Sequence, residues 1–142
     1  MLVQFGLIVA VPNLENLTVV VATLPKRYLK GWITQVLQYA DAGVKVVISI
    51  PPQYSMLNLP SVFINRNNIF IVTSPKGGQV SQRVYGLRLA QSEYVMQMDD
   101  DIIIDIDSLS QLLKDISFLG EKCCVAPRLN LCDSNTFLQS PS

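Results

Sequence analysis

Residues 17–24, Leu-Thr-Val-Val-Val-Ala-Thr-Leu, form an unbroken apolar and β-branched run that ends at Pro25, the pattern of a strand covered on both faces. Beyond it the spacing changes. Leu29, Ile33, Val36, Leu37 and Ala40 fall at i, i+4, i+7, i+8 and i+11, which predicts one face of an amphipathic helix closing near Gly43. Trp32 flanks that stripe and reads as a core anchor. Residues 44–50 form a second buried strand stopped by Pro51-Pro52, and the polar stretch to Pro60 is a loop. Residues 62–64 read as a brief strand and 68–73 as a third main strand. The turn Pro75-Lys76-Gly77-Gly78 then leads into a helix over 79–91 with Val80, Val84 and Leu87 facing inward. A fourth main strand, 94–98, runs straight into Asp99-Asp100-Asp101. The last helix has Asp107 or Ser108 at its N-cap, a stripe of Leu109, Leu112, Leu113 and Ile116, and Gly120 where it should end. Residues 123–126 would form one more short strand.

Strands alternating with helices at this spacing predict an α/β domain, an open, mostly parallel twisted sheet with helices on both faces. We place that domain at 17–128. Residues 1–16 form an N-terminal extension or extra strand. The apolar opening lacks a basic n-region, contains Gln4 and meets Pro12 well short of the roughly 20 residues of a spanning helix, so it reads as neither signal peptide nor anchor. From Asn130 the periodicity fades, and 129–142 reads as an irregular, cut-off tail.

Composition sharpens this picture. Apolar residues make up 49% of the 142 and mean hydropathy is +0.32, enough for a well-used core. Eleven basic and eleven acidic residues cancel, so no overall positive field recruits nucleic acid and no acidic excess points to disorder. With no histidine, Ser-His and Cys-His nucleophilic pairs and His-containing zinc sites are excluded within this chain. Cys123, Cys124 and Cys132 are odd in number and lack CxxC spacing, which fits a reducing compartment such as the cytoplasm. Cys123 and Cys124 are expected as buried thiols of the short strand.

In an open α/β sheet, ligands bind outside the carboxyl ends of the strands. The residues expected there are 23–26, 49–53, 74–79 and the aspartates after Met98. Three adjacent carboxylates repel one another unless a cation or solvent compensates. If the backbone stays extended, the side chains of Asp99 and Asp101 share a direction and both can approach one ion. Oxygen ligands favour Mg²⁺ or Mn²⁺, and a site with so few carboxylates suits an ion that keeps waters and borrows ligands from a phosphate-bearing substrate. By spacing alone, a solvated acidic turn leading into a helix accounts for the triplet equally well. Asp105 and Asp107 read as helix-capping residues. Arg83 has the fork geometry for a diphosphate, or for an ordinary surface ion pair. The Lys76-Gly77-Gly78 turn could cradle phosphate at a helix N-terminus, although a ligand-free Gly-Gly turn explains it more simply.

The segment Arg83-Val-Tyr-Gly86-Leu87-Arg-Leu-Ala90-Gln-Ser-Glu93-Tyr94-Val-Met-Gln-Met-Asp99-Asp100-Asp101 closely resembles the family 2 glycosyltransferases. Their pattern is an Arg-Asn-x-Gly-Leu helix, an Ala, a Gly-Glu-Tyr strand entry and a DxD end. Residues 17–24 are similar to that family's first strand, so the likeness spans 17–128. It implies a GT-A, Rossmann-like fold and metal-assisted transfer of a sugar from a nucleoside diphosphate to a hydroxyl of a saccharide or lipid-linked acceptor. By the same resemblance, Asp101 would ligate Mn²⁺ or Mg²⁺, with Asp99 near the ribose or metal. Thr23, Pro25, Arg83, Asp99 and Asp100 would border the nucleotide sugar. Such a metal would neutralise the departing diphosphate.

Two positions depart from the pattern. Ser49-Ile-Pro-Pro-Gln53 stands where the family carries acidic residues for the base. The family's catalytic base lies in an acceptor half that this chain is expected to stop short of, since Asp133 is the only carboxylate after Ala126 and does not read as that base. The chain alone would then bind a donor without transferring it, and turnover would need a longer protein or a partner supplying the acceptor site. Other readings are a non-catalytic binding domain and a sugar-nucleotidyltransferase, against which stands the lack of glycines in the loop Leu24-Pro-Lys-Arg27. Membrane association, known in the family, has no amphipathic basic helix here to indicate it.

Overall fold

The computed structural model describes residues 13–128 throughout, and outside them the strands β1 (Leu2–Gln4), β2 (Leu7–Val9), β7 (Asn130–Cys132) and β8 (Phe137–Gln139). The β-branched runs do become the central strands, β3 (Leu17–Ala22) and β4 (Lys45–Ile50). All six residues of β3 and the last five of β4 are buried, as strands covered on both faces must be. β5 (Ile69–Thr73) and β6 (Tyr94–Asp99) complete a four-stranded sheet of order β5-β4-β3-β6, with every pairing parallel. The helices are α1 (Lys30–Asp41), α2 (Gln79–Leu89) and α3 (Ile106–Leu119).

From β3 the chain steps outward to β4 and β5, then returns through α2 to place β6 on the other side of β3. Right-handed crossovers that reverse direction put their helices on opposite faces. Accordingly, α1 and α3 share one core with Val19, Val21, Ile48 and Met98, while α2 lies over Val20, Val47 and Ser49. Trp32 anchors the first face, fully buried and edge-on to Phe63 at 5.7 Å. Removing so large a buried ring would cost about 3–5 kcal/mol.

Several local expectations change. Val80, Val84 and Leu87 point to solvent (72%, 41% and 40% exposed), and α2 presents Gln82 and Gly86 to the sheet. Close backbone approach decides this: a Cβ on Gly86 would lie 2.5 Å from Val20 Cγ1. Residues 62–64 are not a strand. Ser61–Phe63 winds into a 3-10 turn after Pro60, burying Phe63 and exposing Val62. α3 starts earlier than expected, capped by Asp105, whose Oδ1 accepts from Ser108 N at 2.7 Å. Gly120 ends it with φ 91°. Residues 123–126 form no strand, and Cys123 and Cys124 are exposed rather than buried. β6 pairs only with β3 among the described residues, and a cavity of about 780 Å³ lined by Tyr94, Met96, Leu113 and Val125 lies along it. Without a ladder partner the β-prone residues 123–126 stay irregular. The opening and tail each hold two short antiparallel strands, β1 with β2 and β7 with β8, where an extension or extra strand and an irregular tail were expected.

Gly86→Ala tests the close approach. Alanine is the better helix former, yet overpacking against Val20 should cost about 1–3 kcal/mol in urea denaturation, and Gly86→Ala with Val20→Ala should recover much of it.

Candidate functional site

Parallel strands end with carbonyls that no ladder partner reaches, and where these are buried they need another donor. At the end of β3 that donor is Gln82, which also adds a second bond to the Ser49 carbonyl of β4, already an acceptor from Thr23 N at 3.1 Å. Gln82 Nε2 donates to Thr23 O at 3.0 Å and to Ser49 O at 2.8 Å, and the residue is 2% exposed. On the opposite face Gln35 of α1 does the same for the chain beyond the aspartates. Its Nε2 donates to Ile102 O at 3.0 Å, and its Oε1 accepts from Ile104 N at 2.5 Å. Tyr39 adds a bond from its hydroxyl to Ile104 O at 2.5 Å, and burial drives that phenol far above its ordinary range, the Asp105 charge adding to it. The ligand edge is thus fastened from both sides by buried polar side chains.

The three aspartates stand where β6 ends, beside β3 at the point where the strand order reverses. Their backbone does not stay extended. Ile102 N donates to Asp99 O at 3.4 Å, so the chain turns at Asp100 and Asp101, and the alternation that would aim Asp99 and Asp101 together does not apply.

Each carboxylate has its own surroundings. Asp99 Oδ1 accepts from Arg83 Nη2 at 2.5 Å and from Gln97 Nε2 at 3.2 Å. Asp100 Oδ2 accepts from Thr23 Oγ1 at 2.6 Å. Burial pushes the Asp100 carboxyl above the usual carboxylate range and the charges of Asp101 and Asp99 add to this, while the bonds from Thr23 and from Leu24 N–H oppose it. Asp101 is exposed and has no hydrogen-bond or ion-pair partner among the described residues.

Of the expected site residues, Arg83, Asp99, Asp100 and Thr23 meet at the β3–β6 junction. Thr23 is 2% exposed and Pro25 is also buried, so both shape the edge from beneath rather than present a free surface. Lys76-Gly77-Gly78 forms the entry to α2 as expected, with φ 100° at Gly78, and a Cβ at either glycine would meet nothing. Asp133 lies outside the described residues. Gln35, Tyr39 and Gln82 were not expected. The signal for Gln82 was its i, i+4 relation to Gly86, hidden by the valines beside it.

Among the described residues no three His, Cys, Asp or Glu side chains group as a cation cage. The donor set still fits a hard divalent ion that keeps waters and takes phosphate oxygens, because Asp101 is uncommitted and Asp99 uses only Oδ1 in its contacts. No described helix is long and apolar enough to cross a membrane.

A doubly wound parallel sheet with carboxylates and a guanidinium gathered at its switch point is the plan of a phosphate- or nucleotide-handling α/β domain. Residues 56–141 match the family model of glycosyl transferase family 2, and the chain belongs to that family. The matched span takes in β5, α2, β6 and α3, and so the whole segment whose motifs carried the resemblance, while β3 lies outside it. Comparisons with curated proteins and with solved structures gave no match.

Gln82→Glu keeps the shape but turns a double donor into an acceptor facing two carbonyls. We expect it to cost more than about 2 kcal/mol in chemical denaturation, and more than Gln82→Met, which leaves the Thr23 carbonyl unpaired without adding a charge.

Proposed function

We propose that this domain binds a nucleoside diphosphate sugar across the carboxyl ends of β3 and β6, for transfer of the sugar to a hydroxyl of a saccharide or lipid-linked acceptor. The observation that carries this is the Arg83–Asp99 pair at the switch point, inside the family-matched segment. Arg83 spends only Nη2 on Asp99 among the described contacts, leaving guanidinium donor capacity for an anionic group beside the carboxylate it holds. Asp99 and Asp101 would hold Mn²⁺ or Mg²⁺ together with the donor's phosphates, and such an ion would neutralise charge on a departing diphosphate. Thr23 and Pro25 shape the floor beneath the nucleotide.

Binding without turnover is a second reading. Of the four strand-end segments, only the one holding Asp99, Asp100 and Asp101 contains a carboxylate, so no separate acidic group stands there to activate an acceptor. A donor that is bound but neither hydrolysed nor transferred would favour it.

Thermal shift of the chain with UDP, GDP and CDP sugars, with and without Mn²⁺, tests donor binding. A ligand at a hundredfold excess over Kd stabilises the folded state by about 2.7 kcal/mol. Asp101→Ala should abolish the Mn²⁺-dependent part of the shift. Arg83→Ala should weaken donor binding about tenfold or more while changing stability by less than about 1 kcal/mol, since its pair with Asp99 is part-exposed. No shift with any donor and metal at saturation would overturn the proposal.

A further inference from the structure

The three aspartates have different tasks, and that of the middle one is mechanical. We propose that Asp100 is a positioning residue, a latch that holds the β3–α1 loop, residues 23–29, in place over the β3–β6 junction. Its carboxylate accepts the Thr23 hydroxyl at 2.6 Å, and its backbone carbonyl accepts Leu29 N at 3.4 Å, so one residue grips both ends of the loop. Between those grips lies a turn closed by Arg27 N to Leu24 O at 3.1 Å, with Pro25 and Lys26 at its centre. Lys26 has φ 71°, the left-handed conformation that a turn with proline first and a positive φ second demands and that glycine ordinarily supplies. A side chain there is strained, and such strain persists only where surrounding contacts fix it. The Asp100 contacts are those fixing bonds.

The latch also explains why Asp100 differs from its neighbours. Asp99 faces Arg83 and Gln97, Asp101 faces solvent, and Asp100 turns toward a hydroxyl that is itself 2% exposed. Its effect on donor affinity then runs through the loop, and this part of the inference rests on the donor-binding reading. The latch itself does not.

Lys26 and Arg27 make the loop cleavable by trypsin, so its opening can be read without any ligand. Limited proteolysis of the chain would compare the wild type with Asp100→Ala, Asp100→Asn and Thr23→Val. Cleavage after Arg88 and Lys114 and the urea midpoint would serve as controls for global unfolding. Loss of a hydrogen bond to a charged group should speed cleavage in the loop about tenfold in Asp100→Ala and in Thr23→Val. The double variant should be no faster than the faster single one, and Asp100→Asn, which keeps an acceptor oxygen, should stay near the wild type. In the donor thermal shift, Asp100→Asn should likewise keep the affinity that Asp100→Ala loses. Unchanged loop cleavage in Asp100→Ala, additive effects in the double variant, or equal acceleration at Arg88 and Lys114 would overturn the latch. So would an Asp100→Asn variant with an intact loop and Mn²⁺ dependence lost as in Asp101→Ala, which would make Asp100 a metal ligand. If no protein, wild type included, shows a donor shift, the donor-binding reading fails and loop cleavage alone decides the latch.

Discussion

A parallel sheet must do something with the carbonyls at its carboxyl ends, and here those of Thr23 and Ser49 lie under α2, out of reach of water. The amide of Gln82 is the partner of the first and a second donor to the other, which already accepts Thr23 N. An unpaired carbonyl there would carry a desolvation penalty of about 1–3 kcal/mol, so α2 must sit where its glutamine reaches the strand ends. That position in turn demands Gly86 against Val20, and it turns the valines of the helix outward. Arg83, one residue after Gln82, is thereby carried to the end of β6, where it meets Asp99. The charge pair at this edge follows from a backbone requirement on the neighbouring strand.

The crowding of three carboxylates is resolved by dispersal. A guanidinium neutralises the first, a buried hydroxyl and a backbone amide take up the second, and water solvates the third. A turn permits this where an extended backbone would have aligned two of them, so a cation is not needed to make the folded chain tolerable. Burial above all raises the Asp100 carboxyl, and the repulsion that remains between neighbours adds to it. The edge is therefore formed and charged by the chain alone, with Asp101 left outermost.

Much of this was legible in the sequence where apolar pattern and burial coincide. The runs at 17–24 and 44–50 could only be covered strands, and the stripe of Leu109 and Leu113 could only be a core-facing helix. Reading failed where polar satisfaction outranked hydrophobicity. In α2, Val80, Val84 and Leu87 carry a helical period, yet the inward face belongs to an amide and a glycine because strand-end carbonyls and backbone proximity govern that contact. Residues 123–126 have strand composition, but no ladder partner reaches them. At the site, residue types and spacing located the triplet, Arg83 and Thr23. They could not show that Thr23 and Asp100 bond to each other, since that pairing spans 77 positions and arises only from the register of β3 against β6.

That register ties the edge to the length of β6. The strand pairs residue for residue from Leu17 with Tyr94 to Ala22 with Asp99, and its side chains alternate between the α1–α3 core, met by Tyr94, Met96 and Met98, and an exposed side with Val95 and Gln97. One residue inserted or deleted between 94 and 99 would either turn Met98 out of the α1–α3 core to the exposed side of the strand or shift every acidic group by one place, handing Arg83 the wrong partner. Loops elsewhere on the domain are free to lengthen in evolution, whereas this strand is bound to a fixed count, and homologues are expected to vary in its letters but not in its length.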